Sequence, residues 1–222
     1  MEGIQHQSRR RLLAPVEAVF SRHSPRYCLK CVATAVCLLI TGPFGILSRV
    51  CHRRLGWEGA FDFFAKFFSQ FPGKTGQFLR TSFYLVTLDE CHCDLAVAFG
   101  SFFSHPNARV GRGVVIGANA IIGTADIGDN VLIGSRVSVL SGKYQHGSAL
   151  QTGGVESQSL PRFERVSIGD RCWLGEGCIV MASIGTASVV SAGSVVNKPL
   201  PPDSIAIGNP ARALKRSDFT NI

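Results

Sequence analysis

From Val110 onward an aliphatic residue recurs at nearly every sixth position, most often with glycine behind it. The series runs Val110-Gly, Ile116-Gly, Ile122-Gly, Ile127-Gly, Ile133-Gly and Val139, and after a break Ile168-Gly, Leu174-Gly, Val180, Ile184-Gly, Val190 and Val196. The step is six except from Ile122 to Ile127 and from Val180 to Ile184. This period predicts a mainly β chain wound as a parallel β-helix, each hexapeptide making one flat side and a turn, with three sides closing a coil. The aliphatics would stack inward as three ladders. The following glycine is expected at the corner, where crowding and unusual dihedrals favour a residue without Cβ. The two short units are expected to be absorbed at corners without breaking a ladder. Such a stack exposes strand edges at both ends, and the N-terminal helices and the segment after Pro199 are expected to cover them.

Ahead of about residue 95 the pattern differs. The run Cys31 to Leu47 carries no charge and lies between Arg22, Arg26 and Lys30 on one side and Arg49, Arg53 and Arg54 on the other. It is at the short edge of a bilayer-spanning length, Gly42-Pro43 is expected to break a helix late in it, and its positive flanks give no orientation. A spanning helix is therefore not favoured. In the next stretch Trp57, Phe61, Phe64 and Phe68 recur at helical spacing, with Phe63, Phe67 and Phe71 widening the stripe and Asp62, Lys66 and Gln70 polar. The pattern suits a helix lying in a membrane interface beside basic anchors; the alternative is a helix packed on a partner subunit. The expected organisation is a helical, membrane-associating region over 1–94, the β-helix over 95–205 and a tail over 206–222.

Composition adds bounds. The 222 residues are 45% hydrophobic and 17% charged, with a formal charge of +8, which suits an ordered chain whose partner is anionic. No nucleic-acid-binding motif appears, so lipid or a phosphate-rich small molecule is preferred. The eight cysteines sit mostly among apolar neighbours and are read as reduced packing residues. Cys91-His92-Cys93 lacks the second pair a zinc site needs, so no metal is expected. No secretory cleavage pattern closes the apolar run, and the expected location is the cytosolic face of a membrane.

The stretch from about Ser104 to Lys215, above all "IGDRCWLGEGCIV" and "SAGSVVNKPLPPDSIAIGNPARALKR", resembles the hexapeptide-repeat acyltransferases. The segments "PGKTGQFLRTSFYLVTLDEC" and "GSFFSHPNARVG" look like the members found with surface-polysaccharide genes. The resemblance implies a left-handed coil, a homotrimer and transfer of an acyl group, usually acetyl from acetyl-coenzyme A. It also implies positions for the coenzyme. Ala192 in "SAG" would lie beside the pantetheine arm, followed by Asn197 and Lys198; Arg212 and Lys215 would meet nucleotide phosphates; Gly134 and Glu176 would line the groove. Trp173 would flank that groove or cover a neighbouring subunit. The chain departs from the better-known sugar acetyltransferases in two places. Their base follows the last ladder residue more closely, near where Tyr144 stands here, and their acceptor-orienting asparagine is matched by Ile116, with Asn119 the nearest candidate.

The break between Val139 and Ile168 gains nothing in packing, and an ejected loop is where function concentrates. It holds His146, one of two histidines beyond residue 100; the other, His105 in "SHPNA", is expected to open the solenoid. Acyl transfer from a thioester to a hydroxyl or amine needs a base, and neutral imidazole titrates near working pH. Backbone N–H groups at a corner can hold the oxyanion. His146 is therefore the expected general base. A γ-type carbonic anhydrase would need three metal-binding histidines, and a nucleotidyltransferase would need a nucleotide domain ahead of the repeats. The reading is an acyl-coenzyme A-dependent transferase acting on a sugar hydroxyl or amine in polysaccharide or glycolipid synthesis. The alternative is a membrane-associated trimeric scaffold without chemistry.

Overall fold

The computed structural model describes residues 25–142 and 164–215. Three helices come first, α1 (Pro25–Leu55), α2 (Gly59–Ser69) and α3 (Gly73–Thr87). Short strands follow, from Ala96–Val97 to Arg212–Lys215; all pair in parallel except the last, which turns back antiparallel on Ser204–Ile207.

The aliphatic positions form three ladders. Val97, Ile116, Ile133, Leu174, Val190 and Ala206 lie on the first face. Phe103, Ile122, Val139, Val180 and Val196 lie on the second. Val110, Ile127 and Ile168 lie on the third, extended through single bridges to Ile184 and Leu200. All are buried, as are most residues two positions earlier, such as Ala108, Val114, Ala120, Val137 and Cys172. Each strand therefore sends two side chains inward around one outward residue. Burying a rung contributes about 1.5–3 kcal/mol against the entropy of ordering the coil. The stack begins at Val97, earlier than the regular rhythm at Val110.

One corner takes all the irregularity. From third face to first and from first to second the step is always six residues: Val110 to Ile116, Ile116 to Ile122, Ile168 to Leu174, Leu174 to Val180. From second face to third it varies: Phe103 to Val110, Ile122 to Ile127, Val139 to Ile168, Val180 to Ile184, Val196 to Leu200. The short units and the long insertion thus stack above one another, and the ladders run past them unbroken.

The expected role of the glycines is corrected in one respect. Crowding is real: a Cβ on Gly117 would lie 2.5 Å from the Ser135 nitrogen, and one on Gly175 2.5 Å from that of Ala192. The left-handed backbone, however, falls two residues later, at Gly113, Asn119, Asn130, Arg136, Arg171, Gly177, Ala187 and Gly193. At these regular corners close backbone approach and positive φ are therefore met by different residues.

The helices close the open end of the first coil. The Arg80 Nε donates to the Val97 carbonyl (2.9 Å) and the Thr81 hydroxyl to that of Leu95 (2.9 Å). On the second face the Phe103 N–H donates to the Tyr84 hydroxyl, 3.2 Å, and on the third the Val110 N–H donates to the Glu90 carbonyl. Phe61, Phe68, Phe83 and Tyr84 extend the core over Phe103. At the far end the strand Arg212–Lys215 covers the last coil.

One expectation for this region is overturned. α1 runs unbroken through Gly42-Pro43. Pro43 stands on the exposed side, where its ring removes one intrahelical hydrogen bond without disturbing the packed face. The α2 stripe is shared between protein and solvent: Phe61 and Phe68 are buried, while Phe63, Phe67 and Phe71 are exposed, because α3 and the first coil claim the former pair.

Candidate active site

The insertion is pinned at its root. The Glu164 N–H donates to the Ser141 carbonyl, 2.9 Å, so the chain leaves at Gly142 (φ +81°) and returns beside it. A Cβ on Gly142 would meet the Glu164 side chain at 2.7 Å. The Arg165 guanidinium then locks the returning strand to the coil below, with Nη1 2.7 Å from Asp126 Oδ1 and Nη2 3.6 Å from Asp89 Oδ2. The hydrogen bond to Asp126 raises the Arg165 pKa above its ordinary value. Around this root lies a cleft of ≈ 240 Å³ lined by Gly142, Glu164, Arg165, Val166, Met181, Ala182, Ser183, Asn197 and Pro199. Every one of these residues belongs to the variable corner or the strand leaving it.

His146, the expected base, lies outside the described residues. Of the expected coenzyme-binding residues, Asn197 lines the cleft and Lys198 is exposed beside it. Gly134, Glu176 and Ala192 stack at the corner between first and second faces: a Cβ on Gly134 would lie 2.8 Å from the Glu176 nitrogen, and the Gly193 N–H donates to the Glu176 carbonyl. Within one chain the second face separates them from the insertion. The Glu176 carboxylate is engaged by Arg136, Oε2 to Nη2 3.2 Å, in an exposed pair that contributes little to stability. Arg212 is exposed in the closing strand, where the Lys215 backbone also pairs with Ser204. Asn119 stands at the same corner as Ala192's column, with φ +57°, so the left-handed backbone accounts for asparagine there. Trp173 is exposed on the outside of the first face.

Sequence reasoning missed Arg165, Ser183 and Met181. Arg165 stands in "RFERVSIG", immediately before the ladder resumes, the place where a brace for the insertion is needed.

His105 occupies the variable corner of the first coil. Its Nδ1–H donates to Glu58 Oε2 at 2.7 Å, while His52 Nδ1 lies 3.5 Å from Glu58 Oε1 and His52 Nε2 3.1 Å from Asn107 Oδ1. The cluster ties the α1–α2 connection to the solenoid. The hydrogen bond from His105 holds the Glu58 carboxyl below its ordinary pKa, helped by the charges of His105 and His52. A depressed carboxyl pKa stabilises the fold above the unfolded-state value, about 4.3, and that contribution is lost as pH falls through the folded value. Glu58→Gln is therefore expected to flatten the fall in Tm with acidification below about pH 4.5, measured by thermal denaturation from pH 3 to 6. An unchanged acid limb would remove Glu58 from the account.

Among the described residues no group of three or more His, Cys, Asp or Glu is placed to hold a metal ion. Cys93 faces Cys31, Sγ to Sγ 2.6 Å, rather than a ligand set.

A family model described as "Hexapeptide repeat of succinyl-transferase" matches residues 107–125, 125–142 and 165–198, the coils on either side of the insertion. The chain is 34% identical over 121 residues to the galactoside O-acetyltransferase of Escherichia coli K12, covering 51% of this chain and 57% of that one. It is 36% identical over 117 residues to the mitochondrial serine acetyltransferase 3 of Arabidopsis thaliana, covering 51% and 27%. The chain thus spans less than two thirds of the length of either curated relative. It superposes on the crystal structure of a maltose O-acetyltransferase from Clostridium difficile 630 with TM-score 0.55 and 26% identity, covering 69% of this chain and 84% of that one. By this likeness the coil is left-handed. In repeat register, insertion and sequence the solenoid is thus similar to the hexapeptide-repeat acetyltransferases.

Proposed function

We propose that the chain moves an acyl group, acetyl in the first instance, from acyl-coenzyme A to a hydroxyl or amine of a sugar in polysaccharide or glycolipid synthesis. The observation that carries this reading is the variable corner: the arm bearing His146 is rooted there, and its root opens on a cleft that already contains Asn197. His146 takes the proton from the acceptor O–H or N–H as that atom attacks the thioester carbonyl. The C–S bond then breaks and the proton passes to the departing thiolate, leaving free coenzyme A. No covalent acyl-enzyme is required when both substrates are bound together.

The active unit in this reading is a homotrimer. Gly134, Glu176 and Ala192 lie at one edge of the second face and the arm leaves from the other, so a neighbouring copy is what brings the two halves of a site together. The exposed side chains of Ile121, Leu132, Trp173 and Ile179 supply apolar surface for that packing. Asn197, Lys198, Arg212 and Lys215 are assigned to the coenzyme, the cations to its phosphates. The galactoside and maltose relatives favour a sugar acceptor; the serine acetyltransferase makes an amino acid the competitor to exclude.

At a hundredfold excess over its dissociation constant, acetyl-coenzyme A stabilises its host by about 2.7 kcal/mol, which for a chain of this size raises Tm by roughly 5–10 °C. That shift is expected. Mass spectrometry after incubation with nucleotide-linked and lipid-linked sugars, and with L-serine, then identifies the acceptor. Absence of both the shift and any acetylated product would leave the non-catalytic scaffold as the better description.

A further inference from the structure

α1 is built inside out. Its buried side carries Thr34, Thr41, Gly45 and Ser48. The Thr41 hydroxyl donates to the Ser82 hydroxyl of α3 at 2.9 Å, and Gly45 lies so close to Val86 that a Cβ would come within 2.9 Å of it. Small residues and hydroxyl hydrogen bonds in the helix seam are how helices pack when no water drives them together. The outward side carries the large aliphatics: Leu29, Val36, Leu39, Ile40, Ile46 and Val50 are all at least half exposed, Leu39 at 81%. Between Lys30 and Arg49 this helix has no charged residue, and it has no acidic residue anywhere. The apolar surface continues onto α2, where the Phe44 ring meets Phe64 at 4.9 Å and Phe63 stacks on Phe67 at 6.2 Å.

We propose that this face of α1, continued by Phe63 and Phe67 of α2, seats the protein on the surface of an anionic lipid bilayer. Charge selects lipid over a second copy. Lys30 marks one end of the stripe and the exposed Arg53 and Arg54 the other, so a second α1 in either orientation would set cation against cation. Headgroups of opposite sign complement both ends. The helix lies on the bilayer and does not cross it, because its inner side is tied to the protein from end to end: Cys31 to Cys93, Thr41 to Ser82, His52 to Asn107. This inference stands independently of the acyl-transfer reading.

The test is flotation of the full-length protein with vesicles of phosphatidylcholine and phosphatidylglycerol, beside vesicles of phosphatidylcholine alone. The wild type is expected to float with the anionic vesicles. The double variant Leu39→Glu, Ile46→Glu is expected to stay at the bottom of the gradient with unchanged Tm and far-UV spectrum. Arg53→Ala with Arg54→Ala alters only exposed side chains and is expected to weaken binding to anionic vesicles roughly thirtyfold, keeping the test open if the first variant misfolds. Wild-type protein that remains unbound overturns the proposal, as does an oligomer that the Leu39→Glu, Ile46→Glu variant dissociates in the absence of lipid. Equal affinity for neutral and anionic vesicles overturns the choice of headgroup.

Discussion

His146→Ala is expected to lower turnover by roughly 10² to 10⁴ while leaving Tm and oligomeric state where they were. The two halves of this expectation have separate physical origins. In the proposed reaction turnover falls because a hydroxyl acceptor is a poor nucleophile until a base begins to take its proton, and the thioester carbonyl cannot supply that base. Stability holds because the ladder that would register damage is closed without the arm: Val139 pairs with Ile122 and Val180, and Ile168 with Ile127 and Ile184. The root is fixed by Ser141, Glu164 and the Arg165–Asp126 pair, none of which the substitution touches. In the proposed reaction the neutral imidazole is the active form, so the wild-type rate is expected to rise with pH through the ordinary histidine range, near 6.5, and the variant to lose that limb. Steady-state assays with acetyl-coenzyme A at several pH values check both. Near-normal turnover with the limb intact would move the base to another residue.

The solenoid was legible because its information is periodic. A rung at every sixth residue reflects one inward side chain per flat side, and the three parallel ladders follow from it directly. What the period did not disclose lies where single residues meet the rest of the molecule. The first two rungs, in "AVAFGSFF", stand before the Gly-marked rhythm: Val97 is followed by alanine and Phe103 by serine, and Phe103 is aromatic because Tyr84 packs over it. The irregular units looked like separate events in the sequence; only the register shows that they share one corner and so define where the arm can leave. The phenylalanines illustrate the opposite limit. Helical spacing identified an apolar stripe on α2, but which half meets protein is decided by α3 and the first coil, and α3 is encoded elsewhere. The inside-out character of α1 was invisible for the same reason: a threonine on a helix is inward or outward only relative to a neighbour. As for the site, the insertion and its histidine stood out as an interruption, whereas Arg165 and Ser183 gain meaning only from the partners the coil brings beneath them.

The second large effect concerns Arg80, a cation that is 1% exposed and that nothing in the sequence marks as special. Its Nε donates to the Val97 carbonyl, and Nη1 reaches the carbonyls of Phe71 (2.8 Å), Phe68 (3.1 Å) and Ser69 (3.2 Å). Burial lowers its pKa from the ordinary value, yet guanidinium stays charged far above neutrality. The Val97 carbonyl points toward the place a preceding coil would occupy, while Phe68, Ser69 and Phe71 lie at or just past the C-terminal end of α2, where the helix dipole favours a cation; the Phe68 carbonyl also accepts from the Phe71 N–H and that of Ser69 from the Gly100 N–H. One planar fork thus satisfies a sheet edge and a helix end together. Arg80→Met keeps comparable length and apolar bulk but leaves the Val97 and Phe71 carbonyls without their donor, and is expected to cost about 3–5 kcal/mol. That corresponds to a fall in Tm of roughly 6–20 °C for a chain of this size. Arg80→Lys retains the charge but offers a point donor in place of the fork and is expected to fall between. Because the cap covers one end of a stack whose coils support one another in sequence, hydrogen exchange should report the loss first in α2, α3 and the strands Ala96–Val97 and Phe102–Phe103, and last in the coils around Leu174. Uniform loss of protection, or a Tm within a degree or two of wild type, would mean that the first coil holds its own edge.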